Sequence, residues 1–249
     1  MSVKVGIGVA GDIAKVLASI REVGDRARVV CYASPGALME TGGLCDVVER
    51  GNPGPAMVSA LMDGEIDAAV RGTLPSAQTL QALKIASGVD HLVRIALLET
   101  AGGKLFLLAP VGVDEGWTIA QKLELIRSGR IIARKFGLHE GVAILSGGRY
   151  GDVGRHAAID RSLADAELIA RLAGAEHTEI LVEEAIQRGG LIIAPDGIAG
   201  NLMFRTLIFL GGGRSHGAPV VNINKIFVDT SRASPNYANA ILLAASLFE

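Results

Sequence analysis

Aromatic residues are scarce: they make up 4% of a 249-residue chain in which 49% of residues are hydrophobic. The core must therefore be aliphatic, built from Ala, Val, Ile and Leu, which suits a parallel sheet covered on both faces by helices. A charge of one sign is missing too. Lys and Arg number 24 against 26 Asp and Glu, for a net charge of −2. No global basic field draws nucleic acid or an anionic membrane surface. Only Cys31 and Cys45 carry thiols, with no Cys-x-x-Cys and no metal-type spacing. That excludes a disulfide framework and makes a reducing cytoplasm the expected compartment. The histidines, His91, His139, His156, His177 and His216, never pair at three- or four-residue spacing, which argues against zinc or another metal. No uncharged apolar run approaches the ~18 residues of a membrane span. Leu191–Ala194 and Leu202–Leu210 are short and interrupted by Pro195, Asp196 and Arg205. The opening Met1-Ser-Val-Lys-Val-Gly has no secretory hydrophobic segment.

Glycine is what the chain has in excess, 32 of 249 residues, or about 13% against a usual ~7%. High hydrophobicity with little net charge excludes disorder, and the lack of a three-residue period excludes collagen. Apolar runs alternate with amphipathic stretches and predict a β/α series. Strands are expected at Val3–Val9, Arg28–Tyr32, Ile66–Val70, Val142–Leu145, Leu191–Ala194, Pro219–Ile223 and Ile226–Val228. A hairpin joins Leu92–Leu98 to Lys104–Ala109 through Glu99-Thr-Ala-Gly-Gly. Helices are expected at Asp12–Val23, Pro55–Asp63, Ser76–Ala86, Thr118–Phe136, Ile180–Gln187 and Asn201–Leu210. Ser162 and Asp165 form a capping box before a helix over Leu163–Ala173, and Ser234-Pro235 opens the closing helix.

Five loops follow strands, where ligands of parallel α/β proteins sit. Gly6-Ile-Gly8-Val-Ala-Gly11 has the dinucleotide spacing, and it also loosely resembles the glycine loop of S-adenosylmethionine enzymes. The second expected strand ends in Cys31-Tyr-Ala-Ser-Pro-Gly without the required acid, so an ordinary tight βα turn explains these glycines better. Arg71, Gly72, Thr73 and Ser76 precede a helix whose N-terminus favours an anion, and Arg71 adds a bidentate clamp; capping with a solvated Arg is the competing account. Ser146-Gly147-Gly148-Arg149-Tyr-Gly-Asp-Val-Gly-Arg155 combines close backbone approach with two cations, without the Gly-Lys-Ser/Thr ending of a nucleotide P-loop. Asp196 and Asn201 flank a Pro-Asp turn, Asn201 being a natural N-cap. Asp229-Thr-Ser231-Arg232 places four polar residues after an apolar strand and is the strongest single candidate. No Gly-x-Ser-x-Gly elbow exists.

Taken in order, these stretches resemble the phosphate acetyl/butyryltransferase family. The resemblance lies in Asp67–Leu80, Ile132–Ser146, Pro195-Asp196-x-x-x-Gly200-Asn201, and Ala218-Pro219 through Asp229-Thr-Ser231-Arg232. It runs from about residue 50 to the end. Within it, the chain resembles the short methanogen branch known as the methyltransferase-related MtxX, or methanogenesis marker, family. The resemblance implies a three-layer α/β/α fold of the isocitrate/isopropylmalate dehydrogenase type. It has two subdomains around an interdomain cleft: residues 1–92 plus 216–249, and an inserted 93–215 that makes a homodimer. Ser231 and Arg232 become the pair facing acyl phosphate and coenzyme A. Arg71, Arg149 and Arg232 hold phosphate, and Asp196 with Asn201 braces the wall. The family's Ser-Arg is followed by Gly and, several positions on, by a general-base Asp; here Ala233 and Ala238 stand there.

Three functions follow as expectations. The first is a phosphotransacetylase-like protein that binds a phosphorylated or coenzyme A-like ligand, with acyl transfer to or from phosphate. The second is a non-catalytic or regulatory subunit associated with methyltransferase subunits. The third, and weakest, is a direct S-adenosylmethionine-dependent methyltransferase.

Overall fold

In the computed structural model, which describes residues 2–38 and 41–248, the chain divides into two compact units. The first comprises Met1–Leu92 and Ser215–Glu249, the second Val93–Arg214.

The first unit contains β1 (Lys4–Val9), α1 (Ile13–Val23), β2 (Arg28–Ala33), β3 (Asp46–Glu49), α2 (Pro53–Asp63), β4 (Ala68–Val70) and α3 (Ser76–Ser87). After the second unit the chain returns with β10 (Arg214–Pro219, entering from the second unit), β11 (Ile226–Asp229) and α8 (Ala238–Phe248). Strands β3, β2, β1, β4 and β11 run parallel in that order, and β10 lies beside β11, antiparallel to it. Register puts Ile7 beside Cys31 and Val70, and Phe227 beside Ala69. Helices α2 and α3 pack together, and Met57, Leu61 and Leu83 meet Tyr32, Ile66 and Phe227 in one apolar cluster. Helix α8 packs on β1, β4 and β11 and against α1.

The second unit contains β5 (Ala96–Glu99), β6 (Leu105–Ala109), α4 (Ile119–Lys135), β7 (Val142–Ile144), α5 (Ala157–Ala173), β8 (Glu176–His177), α6 (Val182–Arg188), β9 (Leu191–Ile193) and α7 (Gly197–Phe209). The β5–β6 hairpin is antiparallel, and β6, β9, β7 and β8 then run parallel. Helix α4 packs on β6, β9 and α5, while α6 and α7 pack on β7, β9 and β6. Leu125, Ile126, Leu163 and Ile169 fill the core beneath α4 and α5.

Several expected boundaries move. Helix α5 starts at Ala157, because the His156 ring nitrogen accepts the Ala158 N–H at 3.1 Å and caps it; Ser162 lies inside the helix and is no cap. Helix α7 starts at Gly197, because Asp196 rather than Asn201 is its N-cap, accepting the Ala199 N–H at 2.8 Å. Helix α2 starts at Pro53 instead of Pro55. The last helix begins at Ala238, after Asn236 accepts the Ala238 N–H, and not at Ser234. Strands β3 and β8 were not expected, and β10 lies earlier than Pro219–Ile223. Among the described residues no helix is long and apolar enough to cross a membrane.

Candidate functional site

In the first unit the loops after β1, β4 and β11 meet. Strand order reverses between β2 and β4 about β1, the place where open parallel sheets leave a crevice for ligand. Here the chain fills it. Leu74 is 1% exposed and sits over Gly8, so that a Cβ at Gly8 would overlap the Leu74 side chain. The Thr73 N–H donates to the Gly8 carbonyl at 3.0 Å. The Thr73 hydroxyl accepts the Ala10 and Gly11 N–H groups at 2.8 and 3.3 Å. The backbone donors that a dinucleotide fingerprint aims at pyrophosphate are thus satisfied internally. Gly72 has φ +61°, and a Cβ there would strike the Gly8 carbonyl oxygen. These glycines serve close packing between two loops.

Arg71 is not a solvent-facing clamp. Its side chain is 7% exposed and its guanidinium forms an ion pair with Asp229. It also donates to the Leu74 carbonyl at 2.7 Å and to the Thr230 carbonyl. Asp229 further accepts the Thr230 N–H at 2.9 Å, and the Thr230 hydroxyl donates to the Gly72 carbonyl at 3.2 Å. Arg71, Gly72 and Asp229 therefore weld the β4 loop to the β11 loop. That weld presents Ser231 and Arg232, whose carbonyls are anchored by the Tyr237 hydroxyl, with Lys15 also donating to Arg232. The Arg232 side chain is exposed, and among the described residues the Ser231 hydroxyl accepts only the Ala233 N–H, at 3.2 Å. Ser76 is the exposed first residue of α3, a helix without a side-chain cap.

The second unit holds the Ser146–Arg155 loop at several points. The Ser146 hydroxyl donates to the Gly148 carbonyl at 2.9 Å and lies 2.9 Å from His177 Nε2. His177 Nδ1 faces Glu167 at 3.2 Å and the Tyr150 hydroxyl at 3.0 Å, and Tyr150 donates to Glu167 at 2.8 Å. Hydrogen bonds from Tyr150 and His177 hold the Glu167 carboxyl below the usual range, and Glu167 in turn pushes the Tyr150 phenol up. The Gly147 N–H donates to Ser162 Oγ at 2.8 Å, and the Arg149 N–H donates to Asp152 at 2.9 Å. Serine, histidine and carboxylate in a row are the parts of an activated nucleophile. Ser146, however, is 1% exposed and bonded to a carbonyl, so the trio organises the loop. Replacing His177 with Ala strips partners from Ser146 and Tyr150 and is expected to cost about 1–3 kcal/mol of stability. Urea unfolding checks this; an unchanged midpoint would mean that the loop is held without the histidine.

Asp196 caps α7, and Asn201 donates from inside that helix to the Val111 carbonyl at 2.9 Å. Gly197 and Gly200 lie against the Gly112 and Pro110 carbonyls, where a Cβ would not fit. They seat α7 against the segment after β6.

One group stands out that sequence reasoning missed. Lys122, in the first half of α4, is 8% exposed, yet among the described residues it donates no side-chain hydrogen bond and forms no ion pair. Burial lowers its amine below the ordinary lysine range, with Asp165 and Asp196 pulling the other way and Arg161 adding to the lowering. Asp165 is bonded to Arg161 at 2.8 Å and Asp196 to its cap. Among the described residues the Lys122 ammonium, at this strand-end edge, has no acceptor. His177 was also missed, because β8 is only two residues long and carries no periodic signal, and Glu167 reads as one more charge on α5. Among the described residues no cluster of three or more His, Cys, Asp or Glu could hold a metal ion.

No protein-family model matches the chain. It is 42% identical over 252 residues to a Methanosarcina barkeri protein named methyltransferase mtx subunit X, covering 98% of this chain and 93% of that one. It is 40% identical over 257 residues to an uncharacterized methyltransferase of Methanopyrus kandleri, covering 98% of each. Among solved structures, the branched-chain phosphotransacylase of Enterococcus faecalis superposes with a TM-score of 0.76 at 16% identity, covering 98% of this chain and 99% of that one. The last likeness concerns the fold.

Proposed function

The chain belongs to the methyltransferase mtx subunit X family and has a phosphotransacetylase-like fold, and from that premise we propose that it binds a phosphorylated or coenzyme A-like ligand. Lys122 and the Gly147–Arg149 loop would hold the anion. The observation that carries this reading is Lys122 itself. A lysine whose stem is buried and whose ammonium has no protein acceptor is held at a cost, and groups perturbed by burial in this way are found at functional sites. A phosphate oxygen would complete it through a charge-assisted hydrogen bond. Arg149, its backbone held by Asp152 and its side chain exposed, offers a second cation. On the first unit, Ser231, Arg232 and Ser76 are the outward polar groups assigned to ligand contact. Arg71 and Asp229 position them, Gly72 and Thr73 shape their loop, and Asp196 and Asn201 set the wall of the second unit.

Acyl transfer between phosphate and a thiol needs a base for the thiol proton, worth roughly 10²–10⁴ in rate. Among the described residues no carboxylate or imidazole is bonded to Ser231, and Ala238 is a buried alanine opening α8. This favours a ligand-responsive subunit working with a methyltransferase over an independent acyltransferase. The relatives' name as a subunit supports the same reading.

Coenzyme A or acetyl phosphate at ~100-fold excess over Kd should raise the unfolding temperature by roughly 5–10 °C. Lys122→Met should lose that shift. Without ligand, Lys122→Met should unfold at a higher temperature than the unaltered chain. The sign follows from the lowered amine: below its folded value both states are protonated and the full burial cost is present, and it is relieved only as pH rises through that value. Acetyl phosphate plus coenzyme A should give no acetyl-coenzyme A above background. Turnover that disappears in Arg232→Ala would establish acyl transfer instead.

A further inference from the structure

The two cysteines, which the sequence treats as unrelated, are neighbours in the first unit. Cys31 lies in the middle of β2, fully buried, with Ile7 and Val47 beside it on the adjoining strands. Cys45 immediately precedes β3, is half-buried, and brings its sulfur to 3.1 Å from that of Cys31. Closing that gap to the ~2.05 Å of a disulfide needs a movement of about 1 Å. The chain on the Cys45 side can supply it. Gly42 and Gly43, both at positive φ, precede Cys45 and permit backbone adjustment that the β2 strand does not.

We propose that Cys31 and Cys45 form a reversible dithiol/disulfide site that exchanges with a disulfide-bearing partner, a small-molecule disulfide or the oxidised form of a dithiol protein. The two thiols have different roles. Cys45 is the one within reach of solvent, and the hydrogen bond between the two sulfurs favours its thiolate. Cys31 is shielded, and burial and its bond to Cys45 push its thiol up. The Cys45 thiolate attacks one sulfur of the partner disulfide, forming a mixed disulfide and releasing one partner thiolate. Cys31 then gives its proton to solvent and attacks the Cys45 sulfur, and the second partner thiolate leaves. The protein loses two electrons and two protons, and the partner disulfide is reduced to two thiols. The product ties the lead-in of β3 to β2.

The test uses the full chain equilibrated with oxidised and reduced glutathione at defined ratios, quenched by alkylation and read by intact mass. The expected product is a monomer about 2 mass units lighter that resists alkylation, with a Cys31–Cys45 cross-linked peptide and a higher unfolding temperature. Cys31→Ala should stop at a single glutathione adduct on Cys45, and Cys45→Ser should take none. Two independent adducts on the unaltered chain, a disulfide-linked dimer, or two thiols that stay alkylatable at every ratio would each overturn the proposal. Cys31→Ser serves as the second variant if Cys31→Ala fails to fold.

Discussion

Asp229→Ala should cost about 3–5 kcal/mol of unfolding free energy, because it strands the buried Arg71 guanidinium without its counter-charge. The ion pair is shielded on both sides, at 7% and 12% side-chain exposure, so water cannot replace the carboxylate. The same change releases the Thr230 N–H and loosens the loop that carries Ser231 and Arg232. Replacing both partners, Arg71→Met with Asp229→Leu, should recover at least half of the loss, since a buried pair is often no better than apolar residues of similar size. Chemical unfolding of the three variants decides it. A loss below ~1 kcal/mol for Asp229→Ala would mean that Arg71 reaches solvent and is free to act as a phosphate clamp after all.

The second large effect separates two kinds of glycine. Gly72→Ala should destabilise by about 2–5 kcal/mol, combining ~1–2 kcal/mol for a left-handed backbone with ~1–3 kcal/mol for overpacking. Its φ is +61° and the new Cβ would meet the Gly8 carbonyl, which is fixed by the β1 ladder and by Thr73. Gly11→Ala should change stability by less than ~0.5 kcal/mol, because a Cβ there meets nothing within 4 Å. Thermal unfolding of the two variants side by side is the check, and equal effects would contradict the packing assigned to these loops.

This contrast marks what the sequence can and cannot express. Short aliphatic runs such as Val142–Leu145 and Leu191–Ala194 predict buried parallel strands because no other element hides them so well, and both are strands. Strand β3 has two half-buried valines between exposed acids, too little pattern to read. Helix α5 begins on a histidine cap, a residue that rarely signals a helix start. The glycines at 72, 147 and 197 follow strands as expected, whereas Gly6 and Gly8 lie inside β1. Whether a glycine cradles a ligand or lies under its own chain depends on side chains far away in sequence, as Leu74 does for Gly8. Lys122 reads as one more charge on an amphipathic helix; its burial is set by how α4 packs on α5, β9 and β6. His177 reaches Ser146 only through the pairing of Ile144 with His177.

The hold we propose for the second unit on an anionic ligand through Lys122 is read by calorimetric titration of coenzyme A into the chain and into Lys122→Met. Saturable binding that weakens at least tenfold in Lys122→Met, a loss of about 1.4 kcal/mol, is the predicted result. Equal affinity in both proteins, or no binding of coenzyme A, acetyl phosphate or inorganic phosphate to the unaltered chain, would contradict it.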